Sequence, residues 1–324
     1  MNRRDLLGLG TGVAAGLGAA ALGLGSGVAR AAGLPTRYVV PGERTFPGGL
    51  AYDRLTGRYY TGSTANGALF SGSVREPEAT LWKPAGSDGR TVTAGLALDA
   101  AARLYVAGGS VPAVWIYDTR TGRLLAKLAT TTRGFTNEIA VTPDGVYVTD
   151  SYEPVIYRIT RAGGRFTLAR WRELAGTPIA YDGTTVALNG IIGAGPYLLS
   201  VHSSQGRLFR IDRTTGGIAE VDLGGLTLRN GDGLLVRGAT LFVVQGSLYD
   251  DGESRPRVTV LEMSRAYDKV LASSELTGDL LHPSAVQLAG GRMLIVNSQY
   301  NRFIGDEEPE LPFTISVLDP GAGS

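Results

Sequence analysis

The feature that most constrains the fold is a repeat, because from Gly48 onward the chain restates one pattern at intervals of about 45 residues. Each unit has a polar or Gly-containing start, an apolar run, a turn with Asp or Gly, and a second apolar run. The units begin at Gly48, Ala94, Asn137, Leu188, Gly231 and His282. Units of this length with about four short strands each are typical of β-propeller blades.

The residues inside each unit favour strands. Apolar side chains alternate with a period of two in 104–107 and 146–149, and β-branched and aromatic residues replace helix formers. Turn sequences such as Pro143-Asp144-Gly145 suit tight hairpins. We therefore predict an all-β fold, a six-bladed propeller of four-stranded antiparallel blades. A β-sandwich or two small barrels is the alternative.

The ends of the repeat region predict how the ring closes. The last unit lacks an outer strand, and the segment 36–40 stands alone before the first unit. Pairing of 36–40 with 314–318 would remove two exposed strand edges and tie the chain ends together. We therefore expect an N-terminal strand to complete the last blade.

Residues 1–31 have the three-part layout of a secretory signal. Arg3 and Arg4 precede an uncharged Gly/Ala-rich run that ends in Ala29-Arg30-Ala31. The paired arginines and the modest hydrophobicity resemble a twin-arginine signal, which implies export to the periplasm or beyond. A retained membrane anchor is the alternative. The predicted mature protein, 32–324, is a single propeller domain without stable membrane association.

Composition excludes several classes of function. Lys and Arg number 31 against 30 Asp and Glu, so no positive excess is present to attract nucleic acid. The chain has no Cys and two His, which excludes thiol chemistry and disfavours haem or copper sites. It also lacks the G-x-S-x-G elbow, the P-loop and the HExxH motif.

The starts of the innermost strands of a propeller surround its central channel, so polar residues there converge. In order, we read these positions as Gly48, Gly95, Asn137, Asn189, Asp232 and His282. Amide and carboxylate oxygens suit a hard divalent cation such as Ca²⁺ or Mg²⁺. A bound cation could polarise an ester carbonyl while a carboxylate activates water.

These residues resemble the SMP-30/gluconolactonase/LRE-like six-bladed propellers over about residues 36–320. The matching segments, in order, are Gly49-Leu50-Ala51-Tyr52-Asp53, Thr136-Asn137-Glu138-Ile139-Ala140-Val141, Asn189-Gly190-Ile191 and Gly231-Asp232-Gly233-Leu234. The resemblance implies a divalent metal, most simply Ca²⁺, held by Asn137, Asn189 and Asp232, with Asp232 as the catalytic base.

One family ligand is missing. Position 48 is Gly where the family has Glu, so the charge of the ligand set falls and Ca²⁺ affinity is expected to weaken. Glu43 and Glu138 are possible replacements, although strand alternation predicts that Glu138 points away from Asn137.

Four further residues are candidates for substrate contact. The family's substrate-contacting Arg in the third blade is replaced by Phe135, with Arg133 nearby. His282 precedes Pro283 at a blade start, and His202 lies at the end of an inner strand. The acidic stretch 249–253 lacks the ligand spacing of a calcium loop and is read as a solvated connection.

The sequence thus predicts an exported, metal-dependent hydrolase similar to lactonases and gluconolactonases, acting on a small cyclic ester. Two alternatives stay open. One is a noncatalytic propeller that binds a small molecule or a protein and has lost the family Glu ligand. The other is a biosynthetic enzyme similar to strictosidine synthase. The chain offers no coiled coil or apolar helix for assembly, so a monomer is expected.

Overall fold

Four-stranded antiparallel sheets succeed one another along the computed structural model, which describes residues 33–130, 134–246 and 255–321. Six such sheets lie in these described residues, and from Leu34 onward the chain forms one compact unit. The innermost strand of each sheet contacts the innermost strands of the two neighbouring sheets. The first and last sheets are in contact in the same way, so the ring is closed. The predicted six-bladed propeller is confirmed.

The first five blades add their strands in chain order from the axis outward. Blades one and two comprise β2 (Pro47–Asp53), β3 (Arg58–Ser63), β4 (Leu69–Ser73), β5 (Thr80–Lys83), β6 (Leu96–Leu98), β7 (Arg103–Ala107), β8 (Ala113–Asp118) and β9 (Leu124–Ala129). Blade three comprises β10 (Thr136–Thr142), β11 (Gly145–Asp150), β12 (Val155–Ala162) and β13 (Arg165–Glu173). Blades four and five comprise β14 (Leu188–Ala194), β15 (Tyr197–His202), β16 (Arg207–Asp212), β17 (Ile218–Glu220), β18 (Gly231–Arg237), β19 (Thr240–Gln245), β20 (Arg257–Met263) and β21 (Val270–Leu276).

The last blade is completed from the start of the chain, as predicted. Its strands β22 (Pro283–Ala289), β23 (Arg292–Asn297) and β24 (Phe313–Leu318) are followed outward by β1 (Arg37–Val40). β1 is antiparallel to β24, with Tyr38 opposite Ile315 and Val40 opposite Phe313. This pairing covers the edge that β24 would otherwise expose.

The hydrophobic core is divided among the blade interfaces. Alternate residues of a strand point to opposite faces of its sheet, so each strand serves two interfaces. In β7, Leu104 and Val106 pack toward blade one, whereas Tyr105 and Ala107 pack toward blade three. The two sets of residues that alternate along the strand therefore form two apolar faces. Each face is buried against a neighbouring blade.

The connection between β23 and β24 contains the short helix α1 (Tyr300–Ile304), and a short 3₁₀ turn spans Ser87–Gly89. In the described part of the chain, no helix is both long and apolar enough to cross a membrane. The predicted signal, residues 1–31, lies outside the described residues and stays a prediction.

Candidate functional site

Strand register defines the positions that line the axis. Pro47, Thr136, Leu188, Gly231 and Pro283 each pair with the last residue of the second strand in their blade. The next residue in each of these strands lines the axis, and in blade two the equivalent residue is Ala94. In chain order the axial residues are Gly48, Ala94, Asn137, Asn189, Asp232 and Ser284. Two of our sequence-based positions were therefore wrong: blade two contributes Ala94 instead of Gly95, and blade six contributes Ser284 instead of His282.

A pocket of about 360 Å³ lies over these axial residues. The axial residues Gly48, Ala94, Asn137, Asn189, Asp232 and Ser284 line it together with Thr64, Glu138 and Tyr300. Its walls are mostly apolar and are formed by Phe135, Tyr152, Thr184, Val186, Phe303 and Ile304. Asn137, Asn189 and Asp232, which come from three different blades, are brought together as predicted.

The expectation that Glu138 points away from Asn137 is wrong. The pairing of β10 with β11 shifts register between Thr136 and Ile139, so a β-bulge interrupts the alternation there. Both Asn137 and Glu138 consequently line the pocket. Gly95 makes room for the carboxylate, because a Cβ on Gly95 would lie 2.7 Å from Oε2 of Glu138. Glu43 is exposed and does not line the pocket.

The bulge recurs at the same place in the inner strands of blades one, four and five. In these blades the second residue of the bulge is Gly, where blade three has Glu138. A Cβ on Gly190 would lie 1.9 Å from the carbonyl oxygen of Asp232, so the close approach of neighbouring blades excludes a side chain there. Glu138 therefore occupies a position at which blades one, four and five have Gly.

The amide groups of the site are oriented by hydrogen bonds. Asn137 Nδ2 donates to Ser151 Oγ over 2.9 Å, and Ser151 Oγ donates to the carbonyl oxygen of Leu188 over 2.8 Å. Asn189 hydrogen-bonds Asp232 through its side chain, while its Oδ1 is buried without a hydrogen-bond partner among the described residues. Each amide thus uses its NH₂ group within the protein and retains an oxygen that can accept.

The two carboxyl groups are electrostatically strained. Burial raises the pKa of Glu138 to about 7. Burial raises the pKa of Asp232 well above its usual range, the nearby Glu138 raises it further, and the hydrogen bond from Asn189 opposes this change. Two neighbouring carboxylates that are partly withdrawn from solvent favour a bound cation or a retained proton.

The donor set fits a hard divalent cation. No group of three or more His, Asp and Glu side chains that could hold a metal lies in the described ranges. The site instead combines two carboxylates with two amides, one of which has an orphaned buried oxygen. Ca²⁺ accepts carboxylate and amide oxygens together. The residues that would hold it are Asn137, Glu138, Asn189 and Asp232, so Glu138 restores the second carboxylate that Gly48 does not supply.

The structure places the other predicted residues as follows. Phe135 lines the pocket wall and packs edge-on against Tyr152, with ring centres 6.2 Å apart. His282 lines a separate small cavity of about 10 Å³ that shares Asn189, Asp232 and Tyr300 with the main pocket. Arg133 and the acidic stretch 249–253 lie outside the described residues.

His202 does not line either cavity. The residue is 1% exposed, and Nε2 lies 2.7 Å from the carbonyl oxygen of Ala180. Burial lowers the pKa of His202, which favours a neutral ring that donates from Nε2. In this position the side chain fastens the connection before blade four to the blade itself.

Sequence reasoning missed Tyr300 and Ser284. The blade-six position was assigned to His282, but the chain reaches the axis two residues later, at Ser284. The backbone of His282, with a φ of 47°, turns before the strand begins. Tyr300 lies outside the repeated strands, in α1, and the repeat pattern carries no signal for it.

Similar folds occur in solved structures, although neither a protein-family model nor a curated protein matches this sequence. The major allergen Mala s 1 of Malassezia sympodialis is 14% identical with a TM-score of 0.65, over 89% of this chain and 97% of the allergen. The calcium-binding protein regucalcin from Agrobacterium tumefaciens is 15% identical with a TM-score of 0.60, over 90% of this chain and 94% of regucalcin. A luciferin-regenerating enzyme is 12% identical with a TM-score of 0.58, over 87% and 94%.

At these identities the likeness concerns the fold. The chain is a six-bladed β-propeller with an acidic, amide-rich pocket on its axis. Its architecture is shared with a calcium-binding protein and with an enzyme.

Proposed function

We propose that this chain is an exported, divalent-metal-dependent hydrolase that opens a small cyclic ester in its axial pocket. The observation that carries the proposal is the convergence of Asn137, Asn189 and Asp232 with a second carboxylate, Glu138, at the base of an apolar pocket. The calcium bound by the similarly folded regucalcin supports Ca²⁺ as the cation.

Each side chain has a role in this proposal. Oxygens of Asn137, Glu138, Asn189 and Asp232 hold the cation, which when bound supplies Lewis-acid polarisation of the ester carbonyl. Asp232 accepts the proton of the attacking water, since it is the carboxylate that Asn189 orients. The walls exclude bulk water from the ester and bind the remainder of the substrate.

The walls also suggest the character of the substrate. Among the described residues that line the pocket there is no Lys, Arg or His, and the wall side chains include Phe135, Phe303 and Ile304. The walls therefore offer a carboxylate or phosphate of a substrate no basic side chain with which to pair. We therefore propose an uncharged ester with an apolar substituent, small enough for a pocket of about 360 Å³.

The test compares Asp232→Asn with the control Asp279→Asn. Asp279 lies in the connection from β21 to β22, and its side chain is 80% exposed. Calorimetric titration with Ca²⁺ and turnover of alkyl-substituted δ-lactones are measured on the chain from Ala32 onward. We expect one bound Ca²⁺ in the unmodified protein and in the control. Asp232→Asn should lose that binding and about 100-fold or more of the turnover. Unchanged turnover in Asp232→Asn would refute the assignment of the base.

A second candidate is a noncatalytic propeller that binds an apolar small molecule in the same pocket. The apolar walls and the absence of a side chain at Gly48 favour it. Saturable binding of an alkyl-substituted δ-lactam, without lactone turnover or Ca²⁺ uptake, would select this candidate over the hydrolase.

Export by the twin-arginine route and a monomeric state belong to the same proposal. Fractionation of cells that express the full-length chain tests the first, and light scattering of the exported protein tests the second. Retention of the full-length chain in the cytoplasm would exclude export.

A further inference from the structure

Tyr300 enters the axial site from outside the inner strands. It is the first residue of α1 and follows Gln299, whose φ of 55° redirects the chain after β23. The Gln299 side chain fixes this turn, because Nε2 donates to the carbonyl oxygen of Glu310 over 2.8 Å and Oε1 accepts from the Glu310 amide over 2.7 Å. Tyr300 thus reaches the polar end of the pocket from a doubly anchored segment.

The phenol occupies the space that Gly48 leaves open. A Cβ on Gly48 would lie 2.6 Å from Tyr300 Oη and 3.0 Å from Thr64 Oγ1. A side chain at position 48 would therefore require the Tyr300 phenol to move. The two residues therefore form a matched pair, in which blade six supplies the polar group on the blade-one side of the axis.

Hydrogen-bond directions determine what the phenol oxygen can do. Thr64 Oγ1 donates its one proton to the carbonyl oxygen of Thr93 over 3.0 Å, and it lies 3.1 Å from Tyr300 Oη. Ser284 Oγ donates its proton to the carbonyl oxygen of Gly48 over 3.1 Å and also hydrogen-bonds Tyr300. Because both hydroxyl neighbours have backbone carbonyls to which they can donate, Tyr300 can donate its single proton to one of them and keep its lone pairs free.

The phenol oxygen is consequently left as an acceptor beside two carboxyl groups. Tyr300 lines the same pocket as Asp232 and Glu138. A developing oxyanion would need a donor at this place, whereas a cation needs a lone pair. The arrangement of oxygens therefore suits a cation.

We propose that Tyr300 Oη is an oxygen ligand of the axial cation site, and that Gly48 and Tyr300 together replace a ligand carried by the blade-one strand. The inference rests on the proposed function, since it assumes that the axial site holds a divalent cation. It adds to that site a residue from a different element and explains why position 48 has no side chain.

The first test is the removal of one oxygen. Tyr300→Phe keeps the ring and deletes Oη, and Tyr267→Phe is the control because it deletes a phenol that donates to the carbonyl oxygen of Gly238 on blade five. Calorimetric Ca²⁺ titration should show a Kd about tenfold higher in Tyr300→Phe and unchanged in the control. Circular dichroism melts check that both variants are folded.

The second test moves the ligand back to blade one. Gly48→Glu alone should weaken Ca²⁺ binding because its side chain collides with the phenol, and Tyr300→Ala alone should weaken it by removing Oη. The double variant Gly48→Glu/Tyr300→Ala should bind Ca²⁺ at least as tightly as the unmodified protein. Additive losses in the double variant would overturn the pairing.

The outcomes separate this inference from the proposed function. If the unmodified protein binds Ca²⁺ and Tyr300→Phe binds it within about twofold, Tyr300 is not a ligand, and the metal-dependent hydrolase stands. If the unmodified protein takes up neither Ca²⁺, Mg²⁺ nor Mn²⁺, both the proposed function and the ligand role of Tyr300 are refuted.

Discussion

At the scale of single residues, the site depends on a break in the strand pattern. The bulge in β10 turns the consecutive residues Asn137 and Glu138 into the same pocket, and Gly95 provides the space for the carboxylate. Desolvation of Glu138 and its repulsion with Asp232 make the metal-free site costly at neutral pH. A bound cation or a retained proton would relieve this cost.

Glu138 predicts an unusual pH dependence of the metal-free protein. Its pKa rises from 4.5 to about 7 on folding, so between these values the folded state binds more protons than the unfolded state. The free energy of unfolding should therefore fall as pH rises through this range, by roughly 3 kcal/mol. Glu138→Gln removes this contribution and should make the fall smaller, while Asp232, whose pKa is also raised, keeps a fall of the same sign.

Urea unfolding in the presence of a chelator, at about pH 5 and about pH 8, measures the effect. Glu153→Gln, a change in the same blade away from the axis, serves as the control. Equal losses of stability in the unmodified protein and in Glu138→Gln would contradict the assignment.

At the scale of elements, α1 and its flanking segment form one side of the pocket. Arg302 forms ion pairs with Glu307 and Glu310, and Phe303 packs on Phe46 of blade one with ring centres 5.1 Å apart. Ile304 lines the pocket while remaining 63% exposed. The helix is held from both sides, and its apolar end is available to a ligand.

We expect Ile304 to contribute to the binding of apolar substituents. Ile304→Ser should raise KM for a pentyl-substituted δ-lactone about 5- to 10-fold, because apolar contact area with the alkyl chain is lost. KM for unsubstituted δ-valerolactone should hardly change. Leu271→Ser, at an equally exposed leucine on β21, is the matched control. Equal effects of Ile304→Ser on both lactones would argue against this role.

At the scale of the whole molecule, stability depends on closing the ring. Hydrophobic clusters lie between neighbouring blades, and the one between blades six and one includes β1 residues that are distant in sequence from β24. Tyr38 is fully buried there, and its hydroxyl donates to the carbonyl oxygen of Val74 over 2.9 Å. Arg292 of blade six donates to the same hydroxyl. Tyr38 thus joins the first and last blades.

Tyr38→Ala should lower the free energy of unfolding by about 3 to 5 kcal/mol, the range for large aromatic residues in well-packed cores. Arg37→Ala, next to it in β1, removes a side chain that is 56% exposed and should cost less than about 1 kcal/mol. Denaturant unfolding of both variants measures the difference. Similar values for the two would mean that β1 does not stabilise the closed ring.

The sequence alone determined the architecture. Period-two strands, repeated turns and an unpaired N-terminal segment sufficed for six blades and for β1 beside β24, because each signal is local or recurs at a fixed spacing. It also located Asn137, Asn189 and Asp232, since equivalent positions in successive blades must meet at the axis.

Only the tertiary structure decided the rest of the site. Glu138 faces the pocket because a bulge overrides alternation, and strand periodicity cannot show a bulge. Tyr300 reaches Gly48 because α1, an insertion outside the repeat, folds back over the axis. Contacts between a repeat and an insertion far along the chain depend on how the ring closes in space, and no local pattern in either segment records them.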